Sequence, residues 1–308
     1  MRILVTGCAG FIGSHTCEKL LKDGNKVMGI DNLNLYYDVD IKLKNLEILK
    51  KYDNFYFIED DIRTTTSIND WKPDVVCHLA SMAGVRYSIK HPRLYIDVNI
   101  NGFINLLEQS RKNGVKQIVY ASSSSVYGLN KKVPFNEDDT IETPNSPYAC
   151  SKMSMELFAK TYTQLYNISC IGLRFFTVYG PYGRPDMAVI KFISKIYNRK
   201  KIELFNHGKN IRDFTYIDDV VDRVYSLINK IPLKSKKLKK LKPNKSSSRL
   251  RILNIGNSKT IKVISIVKII EKILKTKEKK KFLPPLRGDV GKTYADNKNL
   301  KIITKKNF

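Results

Sequence analysis

The stretch ILVTGCAGFIGSH at the start of the chain constrains the fold most tightly. A strand-like run, Ile3–Thr6, enters a turn holding Gly7, Gly10 and Gly13, and a helical pattern over Ile12–Lys22 leaves it. Gly7 permits the tight turn, Gly10 lets the backbone approach a pyrophosphate, and Gly13 allows close packing of helix on strand. The helix start then offers unpaired N–H groups to the phosphates. Glycines also serve ordinary turns, but the strand before and the helix after make this a dinucleotide site. Asp31 ends the second strand, 18 residues after Gly13. A carboxylate there accepts hydrogen bonds from both ribose hydroxyls and repels a 2′-phosphate, which favours NAD over NADP; the plain alternative is a turn residue.

Alternation of short apolar runs with helical patterns continues through the first half. Ile3–Thr6, Lys26–Asp31, Phe55–Ile58, Asp74–Ala80, Gln117–Ser123 and Ser169–Phe175 read as strands, with helices over Ile12–Lys22, Leu94–Lys112 and Ser146–Tyr166. This pattern predicts an α/β fold, a Rossmann-type doubly wound parallel sheet covered on both faces. After residue 176 the regularity weakens into a glycine- and proline-marked loop, helices near Met187–Arg199 and Asp218–Asn229, an apolar run at Arg251–Ile255, a helix over Ile261–Lys275 and a last run over Phe282–Asp296. We expect an NAD-binding domain over 1–176 with return segments near 210–230 and 251–257. A smaller mixed α/β C-terminal substrate domain follows over 177–209 and 258–308. The lysine- and serine-rich tract at 234–249 reads as an exposed, mobile insertion.

At 308 residues, 42% apolar and 27% charged, the chain is globular in composition. MRILVTG has no charged leader followed by a long apolar stretch, so no signal peptide is expected, and no apolar run approaches membrane-spanning length. Cysteines 8, 17, 77, 150 and 170 are scattered, with no CxxC pair. That argues against disulfides or a zinc site, and for a reducing, cytoplasmic compartment. The formal charge of +26 admits a nucleic-acid or membrane partner, or a solvated lysine-rich surface in a chain also rich in Ile and Asn. No nucleic-acid-binding motif accompanies it, and an anionic substrate would also welcome the field.

Tyr148 and Lys152, in YACSK, are four apart at the start of a predicted helix and share one face. Lysine and a cationic nicotinamide favour the phenolate of a tyrosine by opposite-charge attraction, which makes Tyr148 a general base on an alcohol. The spacing also suits an ordinary amphipathic helix. Ser122–Ser125 end a strand of the sheet, where ligands bind in such folds, and Ser123 is placed to relay the proton.

VTGCAGFIG, DNLNLYYD, HLASMAGVRYS, YASSSSVYG, SPYACSK, LRFFTVYGPYGRPDM, RDFTYIDD, LNIGN and GDVGKTYAD carry a likeness over nearly the whole chain. The chain resembles the extended short-chain dehydrogenase/reductase family, and within it the UDP-glucuronate 4-epimerases. The glycine turn and YxxxK identify the broad family, while DNLNLYYD, AGVRYS, SSSSVYG and RFFTVYGPxGRPDM point to the glucuronate branch. The resemblance implies that Gly7, Gly10, Phe11, Ile12, Asp31 and Asn32 hold NAD, with Asp61 and Ile62 at the adenine. Tyr148 would be the base, Lys152 would bind the nicotinamide ribose, and Ser123 would assist at O4. Arg212 would pair with the substrate diphosphate, while Arg86, Arg184 and Arg287 would line the sugar-nucleotide site. It also implies a homodimer through the helices at Leu94–Lys112 and Ser146–Tyr166.

Sugar-nucleotide 4,6-dehydratases of this likeness carry Thr-Asp-Glu where Ser123, Ser124 and Ser125 stand, and many relatives carry Asn at Thr177. Without the acid–base pair, water elimination lacks a catalyst. Ser124, Ser125 and Thr177 are therefore expected to cradle a sugar carboxylate as neutral donors. Met82 stands where a polar residue is common and Cys150 where a small one is, a thiol that is either a proton donor or an apolar filler. Arg287 directly precedes Gly288-Asp289, whereas relatives carry the corresponding arginine earlier; the chain also stops at Phe308, before a final helix usual in the family. We expect oxidation of a UDP-sugar at C4 and its reduction on the other face. A 4,6-dehydratase on UDP-N-acetylglucosamine, with C5 inversion, is the nearest alternative, and an NAD-responsive polyanion-binding protein the remotest.

Overall fold

The computed structural model describes residues 1–229, 249–285 and 288–305. The expected insertion at 234–249, apart from Arg249, and the expected substrate arginine Arg287 lie outside the described residues. Twelve strands are formed among them: β1 Arg2–Thr6, β2 Lys26–Asp31, β3 Phe55–Glu59, β4 Val75–His78, β5 Gln117–Ser123, β6 Ser169–Phe175, β7 Thr177–Tyr179, β8 Ile202–Leu204, β9 Ile211–Tyr216, β10 Leu250–Ile255, β11 Thr260–Lys262 and β12 Lys280–Phe282.

Seven of them form one parallel sheet in the order β10-β6-β5-β4-β1-β2-β3. Successive side chains point to opposite faces, so β1 sends Ile3 and Val5 one way and Leu4 the other. Ile3 and Val5 meet Val27, Val75, Val119 and Ile171 under the helices Phe11–Lys22 and Ile217–Ile228. On the other face Leu4 joins Met28, Val76, Ile118 and Tyr120 beneath the helices Gly102–Lys112 and Pro147–Tyr166. Burial on both faces is why these strands read as continuous apolar runs.

Two regions depart from the sequence expectation. Leu94–Lys112 is not one helix: Pro92–Tyr95 leads into a wide turn over Ile96–Asn101 before Gly102–Lys112. The wide turn carries Asn99 inward, where it bonds the Met82 N–H at 2.8 Å, the Met82 carbonyl at 3.0 Å and the Ser151 hydroxyl at 2.9 Å. The helix Val39–Leu49, absent from the sequence reading, packs Leu46 and Leu49 into the sheet core. Beyond β6 the smaller elements form a mixed sheet, β11-β9-β7, and a pair, β12-β8. The helices Ala188–Tyr197 and Val263–Ile273 bury Phe192, Ile196, Val267 and Ile270 with Ile202 and Leu204 of β8.

Candidate active site

The chain direction reverses across the sheet between β1 and β4: from β1 it winds outward through β2 and β3, then returns to β4 on the other side. Parallel sheets open a crevice at the C-terminal strand ends of such a point. A cleft of about 720 Å³ lies there, and the ends of β1, β2, β4, β5 and β6 contribute to its wall.

Gly7, Gly10, Phe11, Ile12 and Gly13 line its nucleotide side. Gly7 has φ of +73°, and a Cβ on it would stand 2.6 Å from the Ala80 nitrogen. A Cβ on Gly13 would stand 1.9 Å from the Gly7 carbonyl oxygen. No side chain caps the helix Phe11–Lys22, so its first N–H groups face the cleft uncapped. A close-approaching backbone with free donors fits the pyrophosphate of a dinucleotide. Asp31 and Asn32 line the same side. Asp31 accepts from the Ala9 N–H at 3.2 Å and the Leu33 N–H at 3.0 Å. Lys42, buried and unnoticed in the sequence, brings its amine within 3.9 Å of Asp31. Burial pushes the Asp31 carboxyl up while Lys42 opposes. The expected charge-based exclusion of a 2′-phosphate is therefore partly offset. Ile62 lines the cleft with Asp60 and Arg63, and Asp61 does not. Asp61 instead holds Arg63 through two bonds of 2.9 and 2.8 Å and takes the Asn32 amide at 2.9 Å. Arg63 hydrogen bonding lowers its carboxyl to about 2.

At the centre, β5 delivers Ser123 and the helix Pro147–Tyr166 delivers Tyr148 and Lys152, all three on the cleft wall. Ser146 caps that helix by accepting from the Ala149 N–H at 3.2 Å, and Pro147 presets its first turn. Burial raises the Tyr148 phenol, while a hydrogen bond with Ser123 and the charge of Arg184 lower it. Lys152 donates to the Ala121 carbonyl at 2.7 Å and lies 6.0 Å from the Tyr148 ring centroid. Burial pulls its amine down to about 7, against the opposing charge of Glu156. Cys150, in the middle of YxxxK, is exposed and absent from the cleft wall, so it is not a proton donor there. Met82 is on the wall and buried.

Ser124, Ser125, Thr177 and Arg184 line the opposite side. The Ser125 N–H donates to the Ser123 hydroxyl at 3.1 Å, which fixes the serine turn. Arg184 pairs with Asp186 through bonds of 2.9 and 2.7 Å, and Asp186 accepts from the Tyr36 hydroxyl at 3.2 Å. Arg86 and Arg212 stand outside the cleft wall and share Asp289, at 4.0 and 2.8 Å. Arg86 stacks over Phe205, 4.6 Å from its centroid. Asp289, Asp186 and Tyr36 were not singled out in the sequence, where nothing marks a carboxylate as the partner of a distant arginine.

A model of the NAD dependent epimerase/dehydratase family matches residues 3–237. The chain belongs to this family. It is 48% identical over 221 residues to the UDP-glucuronate 4-epimerase of Thermodesulfobacterium geofontis, covering 70% of this chain and 68% of that one. Among solved structures, the UDP-glucuronic acid 4-epimerase of Bacillus cereus, in complex with UDP-glucuronic acid and NAD, superposes with a TM-score of 0.89 at 34% identity, covering 100% of this chain and 94% of that one. The UDP-glucose 4-epimerase of Thermotoga maritima, with UDP-glucose, gives a TM-score of 0.84 at 30% identity, covering 98% and 92%. No helix among the described residues is long and apolar enough to cross a membrane.

Proposed function

We propose that this chain is an NAD-dependent UDP-sugar 4-epimerase acting on UDP-glucuronate. The observation that carries the reading is one cleft lined by Tyr148, Lys152 and Ser123 together with the hydroxyls of Ser124, Ser125 and Thr177. NAD, when bound along the glycine turn, supplies the two-electron oxidant and then the reductant for C4. Tyr148, as phenolate, takes the O4 proton, and Ser123 shares it. Lys152 holds the nicotinamide ribose, and the charge of Arg184 favours the phenolate. The resulting 4-keto sugar turns over and is reduced on its other face, with Tyr148 returning the proton. Inversion at C4 follows with no net redox change.

Three neutral hydroxyls suit a carboxylate at C6 because each can donate a hydrogen bond to the anion. Ser124 and Ser125 also supply no acid–base pair for expelling a C6 hydroxyl. The pair Arg86 and Arg212 faces the diphosphate in this reading, with Asp289 as the partner to be displaced. The sheet with residues 1–176, 210–230 and 251–257 serves NAD, and 177–209 with 258–308 serves the sugar nucleotide. Ile96, Leu157 and Leu165, apolar yet 51–67% exposed on the helices flanking the site, support a homodimer. The five unpaired cysteines suit a cytoplasmic location.

Incubation with UDP-glucuronate and with UDP-N-acetylglucosamine, read by chromatography and mass spectrometry, tests the reading. Unchanged mass with a new retention time from UDP-glucuronate is expected. Loss of a water from either sugar, or no conversion of UDP-glucuronate, overturns it.

A further inference from the structure

Below the cleft floor lies a buried polar network that the proposed reaction does not touch. Glu156 follows Lys152 by one helical turn and is 8% exposed; Arg174, on β6, is 2% exposed. The Arg174 guanidinium grips the Glu156 carboxylate through two parallel bonds of 2.9 and 2.8 Å. The Ser122 hydroxyl donates to the same carboxylate at 2.6 Å. Ser122 pairs with Arg174 in the β5–β6 register, and Arg174 lies over the Tyr127 ring at 4.8 Å.

A buried ion pair is a poor source of stability, because desolvation of both charges offsets their attraction; apolar residues of like volume often serve as well. Its placement here suggests another use. Ser122 sits between Ala121, whose carbonyl takes the Lys152 amine, and Ser123, which bonds the Tyr148 phenol. One carboxylate thereby anchors the strand end that meets both members of the pair. It also lies one turn beyond Lys152 on the same helix, and its charge favours the Lys152 ammonium. Of the other groups around that amine, His78 on β4 is fully buried and held down to about 3 by burial and by Lys152 itself, the Ala121 carbonyl and Met155 sulfur are neutral, and Tyr148 turns negative only once ionised.

We propose that Glu156, clamped by Arg174 and Ser122, is a positioning residue for Tyr148 and Lys152, supplying the negative charge that keeps the Lys152 ammonium in place and fixing the strand end that carries Ala121 and Ser123. The proposal rests on the reading of Tyr148 as the base. Glu156→Gln keeps the shape and removes the charge. With Arg174 left unpaired the local field becomes more positive, so Lys152 loses its proton and Tyr148 ionises at lower pH, and both limbs of the activity profile move down.

The test uses the NAD-loaded protein. In Glu156→Gln, kcat falls about 10- to 100-fold at pH 8 with KM changed less than about threefold, and the acid limb of the kcat profile moves down by about one pH unit. A second measurement needs no turnover: the near-ultraviolet phenolate titration of Tyr148, obtained by subtracting the Tyr148→Phe form of each protein, moves to lower pH. The double variant Glu156→Leu with Arg174→Leu removes the pair without stranding a charge; it folds with a midpoint close to the parent and, with the Ser122 hydroxyl released, still loses kcat while its limbs stay near the parent's. A parental kcat in the double variant, or a parental pH profile and phenolate titration in Glu156→Gln, overturns the proposal and leaves the pair a structural brace. If the parent fails to epimerise UDP-glucuronate but its phenolate titration still shifts in Glu156→Gln, the positioning role stands and the substrate reading falls.

Discussion

A methyl group on Gly13 would stand 1.9 Å from the Gly7 carbonyl oxygen, whereas Arg184 and Arg212 across the site already hold carboxylates at 2.7 and 2.8 Å. The nucleotide side is thus a backbone surface with no room left in it. The sugar side is a set of long side chains whose charges are satisfied by one another. The first is complete before any ligand arrives. In the proposed reading the second exchanges partners when an anion enters, because Asp186 and Asp289 now hold Arg184 and Arg212. Substitutions on the backbone side therefore act as all or nothing, and those on the charged side are graded.

The largest effect is expected at the turn. Gly13→Ala forces apart the helix Phe11–Lys22 and the turn it packs on, because the obstacle is backbone and cannot swing away. Overpacking costs about 1–3 kcal/mol and occasionally more, and an immovable backbone obstacle puts this site at the upper end. NAD affinity is expected to fall more than about 100-fold, measured by nicotinamide fluorescence titration alongside thermal unfolding. Retention of NAD within about tenfold would show that the turn adapts, and the contrast would lose its stiffer half.

Tyr148→Phe lies at the boundary between the two sides. It removes the proton acceptor and keeps the ring that packs edge-on against Tyr95 at 6.0 Å. Turnover is expected to fall by about 10²- to 10⁴-fold with NAD still bound. Retained turnover would remove the tyrosine from its role.

How far each side could be read from the sequence follows the same division. Gly7, Gly10, Gly13 and Asp31 are local: each position serves a turn or a strand end within a few residues, so spacing alone locates it. Tyr148 and Lys152 share a helix, and their spacing survives folding. Asp61 is placed at the adenine by the family likeness, and the sequence does not mark the contact by which Arg63, two residues on, folds back onto it. The partners of Arg184 and Arg212 follow no spacing rule. Asp186 is two residues from Arg184, while Asp289 is reached across 77 residues and serves Arg86 as well. Lys42 and Glu156 were invisible for a different reason: charged residues on helices read as solvent-facing, and both are buried by the pairing each makes.

Smaller effects probe the charged side. Arg212→Met is expected to raise KM for the sugar nucleotide about 10- to 100-fold, the worth of one charge-assisted contact at about 1.5–3 kcal/mol, with kcat nearly unchanged. Asp289→Asn releases Arg212 from its present partner and should leave KM equal or lower. If Asp289→Asn raises KM as much as Arg212→Met does, the aspartate orients the arginine for the ligand, and partner exchange is the wrong picture.

The smallest expected effect is a shift along the pH axis. Burial raises the Tyr148 phenol and Arg184 opposes that rise through its charge. The reaction needs the phenolate, so kcat/KM climbs with pH until Tyr148 has ionised. Arg184→Met takes away a cation, the phenolate becomes less favoured, and the acid limb should move up by about 0.5 to 1 pH unit. Asp186→Asn works in the opposite sense: it strips Arg184 of the carboxylate that screens it, and the same limb should move down. A merely structural role for the Arg184–Asp186 pair would lower the plateau of both variants and leave their limbs where the parent has them, so opposite shifts in the two profiles separate an electrostatic wall from a scaffold.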